Sequence, residues 1–322
     1  MLIEDTVYGD REIEEEVLKE LIESRPFQRL KDIHQAGPQP FFMDKYPVTR
    51  YEHSLGVMLL LRDHGASLEE QIAGLLHDVP HTAFSHMVDF VYDTDEHDYH
   101  DRFLEKVVKD SEIPEILERH GLDVDYILDE ENFGLLERDA PDLCADRIDY
   151  FLRDSKRYGD WKVDHFVDSL TTAEGIFVLD DKETAIEYGK KYADADENWW
   201  ANPKEVVLTE IFAEAVKEAL EQNLISEEEL FGTDEEVMAK LRNSDNELIQ
   251  EKLEILDNGF KIELEAEDPD MEVTTKERAV DPPVLVNGEV RKASEFSDEL
   301  KEKIEEHKEF VKSGYSVNIK EK

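Results

Sequence analysis

Apolar residues recur at helical spacing through the first half of the chain. Ile13, Val17, Leu18, Leu21 and Ile22 share one face, and Leu55, Met58, Leu59 and Leu61 repeat the pattern after Tyr51. Residues 68–77 predict a short helix, which Pro80 brings to an end. Further helices are predicted at 97–109, 112–119, 203–222 and 245–256. The stretch 142–154 is amphipathic: Leu143, Ile148, Phe151 and Leu152 turn to the core, with Asp146, Asp149 or Tyr150, and Asp154 on adjoining faces. Residues 175–180, GIFVLD, predict a strand. After Gly259 the period shortens to two in FKIELEAE, then VLVNGEV follows with a hairpin-type turn at Asn287-Gly288. A last helix at about 296–312 and the strand SVNI complete the pattern, while the acidic, Pro269-containing 265–278 segment is expected to be a loop. The expected fold is mainly α: a helical domain over 1–170, a helical extension completing its pocket over 171–258, and a small α+β appendage over 259–322.

Composition narrows the partners. The 322 residues carry 82 acidic against 37 basic side chains, a formal charge of −45. Because the acids are spread along the whole chain, the charge points to a halophilic-type surface that stays hydrated in concentrated salt rather than to an acidic tail. No basic run with interleaved aromatics offers a footprint for a phosphate backbone, so nucleic acid is not an expected partner. A small anion remains compatible, since a metal ion and a few arginines can reverse the local field. Cys144 is the only cysteine, which excludes an intrachain disulfide and a thiolate zinc cluster. The acidic N-terminus lacks a signal-peptide pattern, and no stretch approaches the ~20 apolar residues of a membrane span. A cytoplasmic protein without a membrane partner is expected.

Ten of the eleven histidines lie at or before His165, so the chemistry is expected in the first half. His77 and Asp78 are adjacent; neighbours on a regular helix diverge by about 100°, but they can converge where a helix ends. With His53 upstream and Asp146 downstream they supply imidazole and carboxylate donors for one divalent ion. Such an ion makes water more acidic and draws charge off phosphoryl oxygens.

Three segments then show a resemblance: Arg50-Tyr-Glu-His53-Ser-Leu-Gly, His77-Asp78-Val-Pro-His81-Thr-Ala-Phe-Ser-His86, and Asp146-Arg147-Ile-Asp149-Tyr150-Phe-Leu-Arg153-Asp154. Together they resemble the HD-domain phosphohydrolases, most closely their deoxynucleoside triphosphate triphosphohydrolase branch, as does the upstream stretch from Phe27 to Gly37. The likeness is specific from about 20 to 160 and more diffuse to about 256; Asp281-Pro282-Pro283 resembles the C-terminal part of prokaryotic HD proteins.

The resemblance implies an HD-domain helical bundle in which His53, His77, Asp78 and Asp146 bind a divalent ion, with Mn, Mg, Fe, Zn or Ni as candidates. It implies that His81 contacts phosphates, that His86 stands at the scissile phosphorus and leaving oxygen, and that Asp89 pairs with a later histidine, His100 or its neighbour His97, to activate water. Arg50 and Arg147 are the implied phosphate contacts, and Tyr150, Asp154 and Gln35 the implied sugar or base contacts. One of Trp199 and Trp200 falls near an aromatic that lines the nucleotide pocket. Pro80 stands where the branch commonly has glycine and Thr82-Ala83 where it has Gly-Pro, so the loop over the phosphates is expected to differ. The expected activity is metal-dependent hydrolysis of a nucleotide, with a deoxynucleoside triphosphate cleaved to nucleoside and triphosphate as its sharpest form. A phosphomonoesterase or phosphodiesterase of 5′-nucleotidase type is the alternative, and a non-catalytic metal-binding scaffold the second. No regulatory nucleotide site is apparent, and related enzymes suggest a homo-oligomer.

Overall fold

The structure is a computed structural model and describes residues 1–92, 99–264, 268–276 and 278–321. The first helix of the expected face spans Glu16–Glu23 and buries Val17, Leu18, Leu21 and Ile22. The Arg50–Asp63 helix begins at a capping box: the Thr49 hydroxyl accepts the Glu52 N–H, and Glu52 accepts the Thr49 N–H in return. Every residue from His53 to Leu61 is buried, so this helix has no polar face and runs through the middle of the bundle. Leu68–Leu76 starts at Ser67, whose side chain accepts from the Glu70 N–H, and delivers His77 as its C-cap. Ala145–Tyr158 buries Ile148, Phe151 and Leu152 as its pattern predicts, and packs across Arg50–Asp63.

That crossing depends on Gly56. A Cβ there would lie 2.0 Å from both Asp149 Oδ1 and Arg153 Nη2, so only glycine lets the two helices approach closely enough for Asp149 to reach His53.

Two apolar cores result. One joins the N-terminal helices to Tyr188, Tyr192, Val284, Leu300 and Ile304. The other gathers Phe84, Met87, Phe212, Leu253, Phe260 and Val317 around the long Pro203–Glu221 helix. Residues 259–322 therefore contribute to both. The Ile176–Leu179 strand, predicted from GIFVLD, pairs antiparallel with Leu170–Ala173 and parallel with Pro283–Val286, which turns back through Glu289–Lys292. In a second sheet Phe260–Leu264 and Met271–Val273 flank the C-terminal strand Tyr315–Glu321.

Two expectations are corrected. The 265–278 segment is not all loop: Met271–Val273 forms a strand because Tyr315–Val317, far away in sequence, completes its hydrogen bonds. The 97–109 helix is shorter among the described residues, a 3₁₀ turn at Asp101–Phe103 leading into Leu104–Lys109; His97 lies outside the described residues.

Gly56→Ala is expected to lower stability by roughly 2–3 kcal/mol, the cost of overpacking a tight core site, measured by thermal or urea denaturation. An unchanged midpoint would show that the two helices can separate without penalty.

Candidate metal centre and substrate cleft

Four donor groups on three helices converge. His53 Nε2 is 2.9 Å from Asp146 Oδ1 and 3.7 Å from Asp78 Oδ2. His77 Nε2 is 3.5 Å from Asp78 Oδ1 and 3.6 Å from Asp146 Oδ1. His53, His77 and Asp146, three of the four residues expected to bind one ion, thus each bring a ligand atom to a common point, with Asp78 beside them. Their hydrogen bonding suits that task. His77 Nδ1 donates to the Gly74 carbonyl at 2.8 Å, and its Nε2, though buried, has no hydrogen-bond partner. An orphaned imidazole nitrogen facing two carboxylates is a donor set that fits a divalent cation. His53 Nδ1 lies 2.7 Å from Asp149 Oδ2, which directs its other nitrogen to the cluster. Asp149 is in turn clasped by Arg153 at 2.8 and 3.0 Å, and Arg153 reaches Asp5 at 3.0 Å.

Charge in the cluster follows from these contacts. Burial pulls His53 and His77 down, but their carboxylate partners prevail and push them up to about 8 and about 10. Burial alone would raise Asp78 and Asp146; Arg50 and the histidines instead hold Asp78, and His53 and His77 hold Asp146, well below the usual carboxylate range. The site thus attracts positive charge, whether from protons or from a cation.

A second donor group shares Asp78. His81 Nε2 lies 3.2 Å from Asp78 Oδ1, and His100 stacks on His81 with ring centroids 3.8 Å apart. Burial and then Arg50 press His81 down, and burial and then His86 press His100 down to about 3, so both rings are neutral. Asp78, His81 and His100 are close enough for one ligand atom of each to meet an ion.

Asp89 places Oδ2 3.1 Å from His86 Nδ1, one helical turn away, and accepts the Tyr99 N–H through Oδ1. Among the described residues this carboxylate meets His86; a pairing of Asp89 with His97 lies outside the described residues. His100 Nε2 instead lies 3.1 Å from Asp101.

The loop delivering His86 is strained, with Phe84 and Ser85 at φ of 60° and 52°. Distant groups hold it there: the Phe84 N–H donates to Asp234 at 2.6 Å, Ser85 Oγ donates to the His34 carbonyl at 2.7 Å, and the Ala83 N–H donates to the Leu230 carbonyl. Half-buried Arg29 donates to the carbonyls of Val79, His81 and Gly232 and pins the turn after Asp78.

Two adjoining cavities open onto these groups. The larger, of about 740 Å³, is lined by the donor residues His77, Asp78, His81, His100 and Asp146 and by Arg50, Arg147 and Glu137. The smaller, of about 190 Å³, is lined by Gln35, Phe84, Tyr150, Asp154, Trp199 and Trp200. Arg50, His86, Asp146, Tyr150, Lys276 and Arg278 line both. Tyr150 hydrogen-bonds Tyr192 and meets Trp200 edge-on, with centroids 4.9 Å apart. Asp154 accepts the Trp200 indole N–H at 2.8 Å through Oδ2, while its buried Oδ1 has no partner; the Gln35 carbonyl is likewise unpartnered. Arg50 is half spent, donating to Asp78 and Ser85. Arg147 is turned to its own loop, donating to the carbonyls of Arg138 and Asp142.

Several of these residues escaped the sequence reading as site residues. Asp149 is separated from Asp146 by one turn and from Arg153 by four residues, spacings that signal a shared helix face and an ion pair. Asp234, which holds the His86 loop, and Lys276 and Arg278, which line the cleft, carry no local signal, because only the tertiary fold brings them there.

With this geometry in hand, relatives place the chain. An HD domain family model matches residues 50–154, the span holding all four candidate ligands. The protein YdhJ of Bacillus subtilis, itself uncharacterized, is 40% identical over 99% of each chain. The metal-dependent phosphohydrolase cns2 of Cordyceps militaris is 35% identical over 91% of this chain and 87% of its own. The chain belongs to the HD-domain family. A deoxynucleoside triphosphate triphosphohydrolase SAMHD1 homolog from Dictyostelium discoideum is more distant, 28% identical over 49% of this chain and 36% of its own length. A crystal structure of a hypothetical protein from Aquifex aeolicus has the same fold, with a TM-score of 0.69 at 23% identity over 94% of this chain and 93% of that one. No helix among the described residues is long and apolar enough to cross a membrane.

Two outcomes are expected. Asp149→Asn should weaken Mn²⁺ binding roughly 10–100-fold, the usual effect of losing a ligand's hydrogen-bond partner, as read by equilibrium dialysis. Asp154 gives a pH-dependent signature. Burial, only partly offset by the Trp200 N–H, pushes its carboxyl up from 3.8 to about 6. The folded state then holds the proton more tightly than the unfolded chain. The resulting cost is absent below pH 3.8, grows as pH rises toward 6 and is complete above it, reaching about 3 kcal/mol. Asp154→Asn should therefore stabilise the metal-free protein at pH 7.5 and progressively less toward pH 4, as read by denaturation at each pH. A gain independent of pH would contradict this cause.

Proposed function

We propose that the chain is a metal-dependent phosphohydrolase whose substrate is a nucleotide, in its sharpest form a deoxynucleoside triphosphate cleaved to nucleoside and triphosphate. The observation that carries this reading is the pairing of two cavities. One is polar and holds the donor cluster. The other is walled by aromatic rings and offers the unpartnered acceptors of Asp154 and Gln35. A nucleoside fits the second by stacking and by donating its hydroxyl or amino hydrogens, with its phosphates extending into the first. The name of the Cordyceps relative agrees with the reaction class, and the name of the Dictyostelium relative with the finer substrate, over about half of the chain.

His53, His77, Asp78 and Asp146 would hold the ion, which supplies Lewis acidity toward a phosphoryl group. The remaining steps belong to the chain's own residues. Arg50, fixed by Asp78 and Ser85, places positive charge at the junction of the cavities. Asp89 holds His86 Nδ1 and leaves the other ring nitrogen to give a proton to the leaving oxygen or take one from water. Buried His81 and half-buried His100, both neutral, offer hydrogen bonds to phosphoryl oxygens without adding charge. Tyr150 packs against the sugar and crowds a 2′-hydroxyl.

The second reading is a phosphomonoesterase, favoured by the many carboxylates lining the polar cavity, among them Glu130, Glu131, Glu137 and Asp139, which oppose a long anionic tail. Product identity separates the two. The purified chain, supplied in turn with Mn²⁺, Mg²⁺, Fe²⁺, Zn²⁺ or Ni²⁺, is incubated with deoxy- and ribonucleoside mono-, di- and triphosphates and the products are resolved by ion exchange. Tripolyphosphate and nucleoside are expected, with a preference for deoxy substrates; orthophosphate as the sole anion would move the assignment to the second reading. Asp78→Ala and Asp146→Ala should lose bound metal and fall to background turnover together. Full turnover with metal retained in both would reject the ligand assignment.

A further inference from the structure

A phosphate chain can be gripped only by donors that are not already engaged. The cations lining the polar cavity are Arg50, Arg138, Arg147, Lys276 and Arg278. Arg50 is bound to Asp78 and Ser85 at 2.9 Å each. Arg138 lies against Asp142 at 3.3 and 3.4 Å. Arg147 donates to two backbone carbonyls, at 2.8 and 3.2 Å. Lys276 has no ion pair or hydrogen bond among the described residues. Among the described residues Arg278 has a single ionic neighbour, Asp196 Oδ1 at 3.8 Å, too far for a hydrogen bond.

We propose that Lys276 and Arg278 are the specificity-determining clamp for the substrate's phosphate chain, contributed by the C-terminal part of the molecule. The proposal rests on the nucleotide reading above and names the groups that select for chain length. Both residues line both cavities, so they stand where the nucleoside end gives way to the phosphate end. The backbone on either side is anchored in different sheets. Met271–Val273 precedes them, hydrogen-bonded to the C-terminal strand, and Pro283–Val286 follows, hydrogen-bonded to Ile176–Leu179.

Asp196 is the positioning residue for Arg278. It is fully buried, its Oδ2 lies 2.9 Å from His307 Nε2, and its Oδ1 has no hydrogen-bond partner. It therefore holds the guanidinium in place by charge while leaving its N–H groups for a ligand. Asp196 also opens the turn that carries Trp199 and Trp200, so the clamp and the aromatic wall share one support. Because carboxylates crowd the polar cavity, each added phosphate gains attraction chiefly from these two cations.

The test uses the full chain with Mn²⁺ in excess and follows inorganic tripolyphosphate and orthophosphate binding by calorimetry in wild type, Lys276→Ala, Arg278→Ala, Arg278→Lys and the double alanine variant. Each alanine should weaken tripolyphosphate about tenfold and the pair roughly a hundredfold, as expected for charge-assisted contacts. Orthophosphate should change by no more than about threefold, Arg278→Lys should recover part of the loss, Mn²⁺ affinity should stay unchanged, and so should the thermal midpoint of Lys276→Ala. With a triphosphate substrate the variants should raise KM far more than they lower kcat. Unchanged tripolyphosphate affinity in the double variant, or no tripolyphosphate binding in wild type, would overturn the clamp. This binding is read without turnover, so a failure to hydrolyse nucleotides would count against the functional reading and leave the clamp to be judged by the titration.

Discussion

The buried chain Asp5–Arg153–Asp149–His53 is the constraint on which the rest of the structure depends. Four carboxylates, an arginine and a histidine cannot share a dry interior unless each charge is answered, since stripping one partner from a buried pair costs about 3–5 kcal/mol. Arg153 answers Asp149 and Asp5, Asp149 orients His53, and His53 faces Asp146 and Asp78. The chain ends in a cluster of carboxylates and imidazoles whose balance is completed by protons on the histidines or by a cation in their place. Gly56 is part of the same constraint, because the two helices can meet closely enough to form this chain only where a side chain is missing.

Stability and function pull in opposite directions around this centre. His81 and His100 are stacked without hydrogen-bond partners on His81, Asp154 leaves a buried oxygen bare, and Phe84 and Ser85 hold left-handed backbone. Each is a cost that folding alone would not retain. All line or border the two cavities, where a ligand would satisfy them. The distant residues that restrain them, Asp234 and Arg29 among others, explain why a fold of this size surrounds so small a reacting centre.

Much of this was legible in the sequence, for a physical reason. Metal ligands must be specific residue types at the ends or on the faces of helices, so His53, His77, Asp78 and Asp146 stand out as a pattern, and the apolar periodicity of 16–23, 50–63 and 145–158 sets the helices that carry them. The legibility stops where a role depends on tertiary contact. Spacing alone could not show that Asp89 also meets His86, three residues before it. Arg147 reads as a phosphate ligand by its position, yet its loop carbonyls engage it. Met271–Val273 looks like loop because its strand partner lies more than forty residues away. Lys276 and Arg278 belong to a segment with no motif at all, and only the paired sheets on either side bring them to the cleft.

The most direct test of the account is the location of the ion itself. Crystals grown with Mn²⁺ and measured at the manganese absorption edge should show an anomalous peak bonded to His53 Nε2, His77 Nε2, Asp78 and Asp146, with His53 Nδ1 still held by Asp149. A peak elsewhere, such as among Glu137, Cys144 and Asp146, or no peak under saturating Mn²⁺, would contradict it.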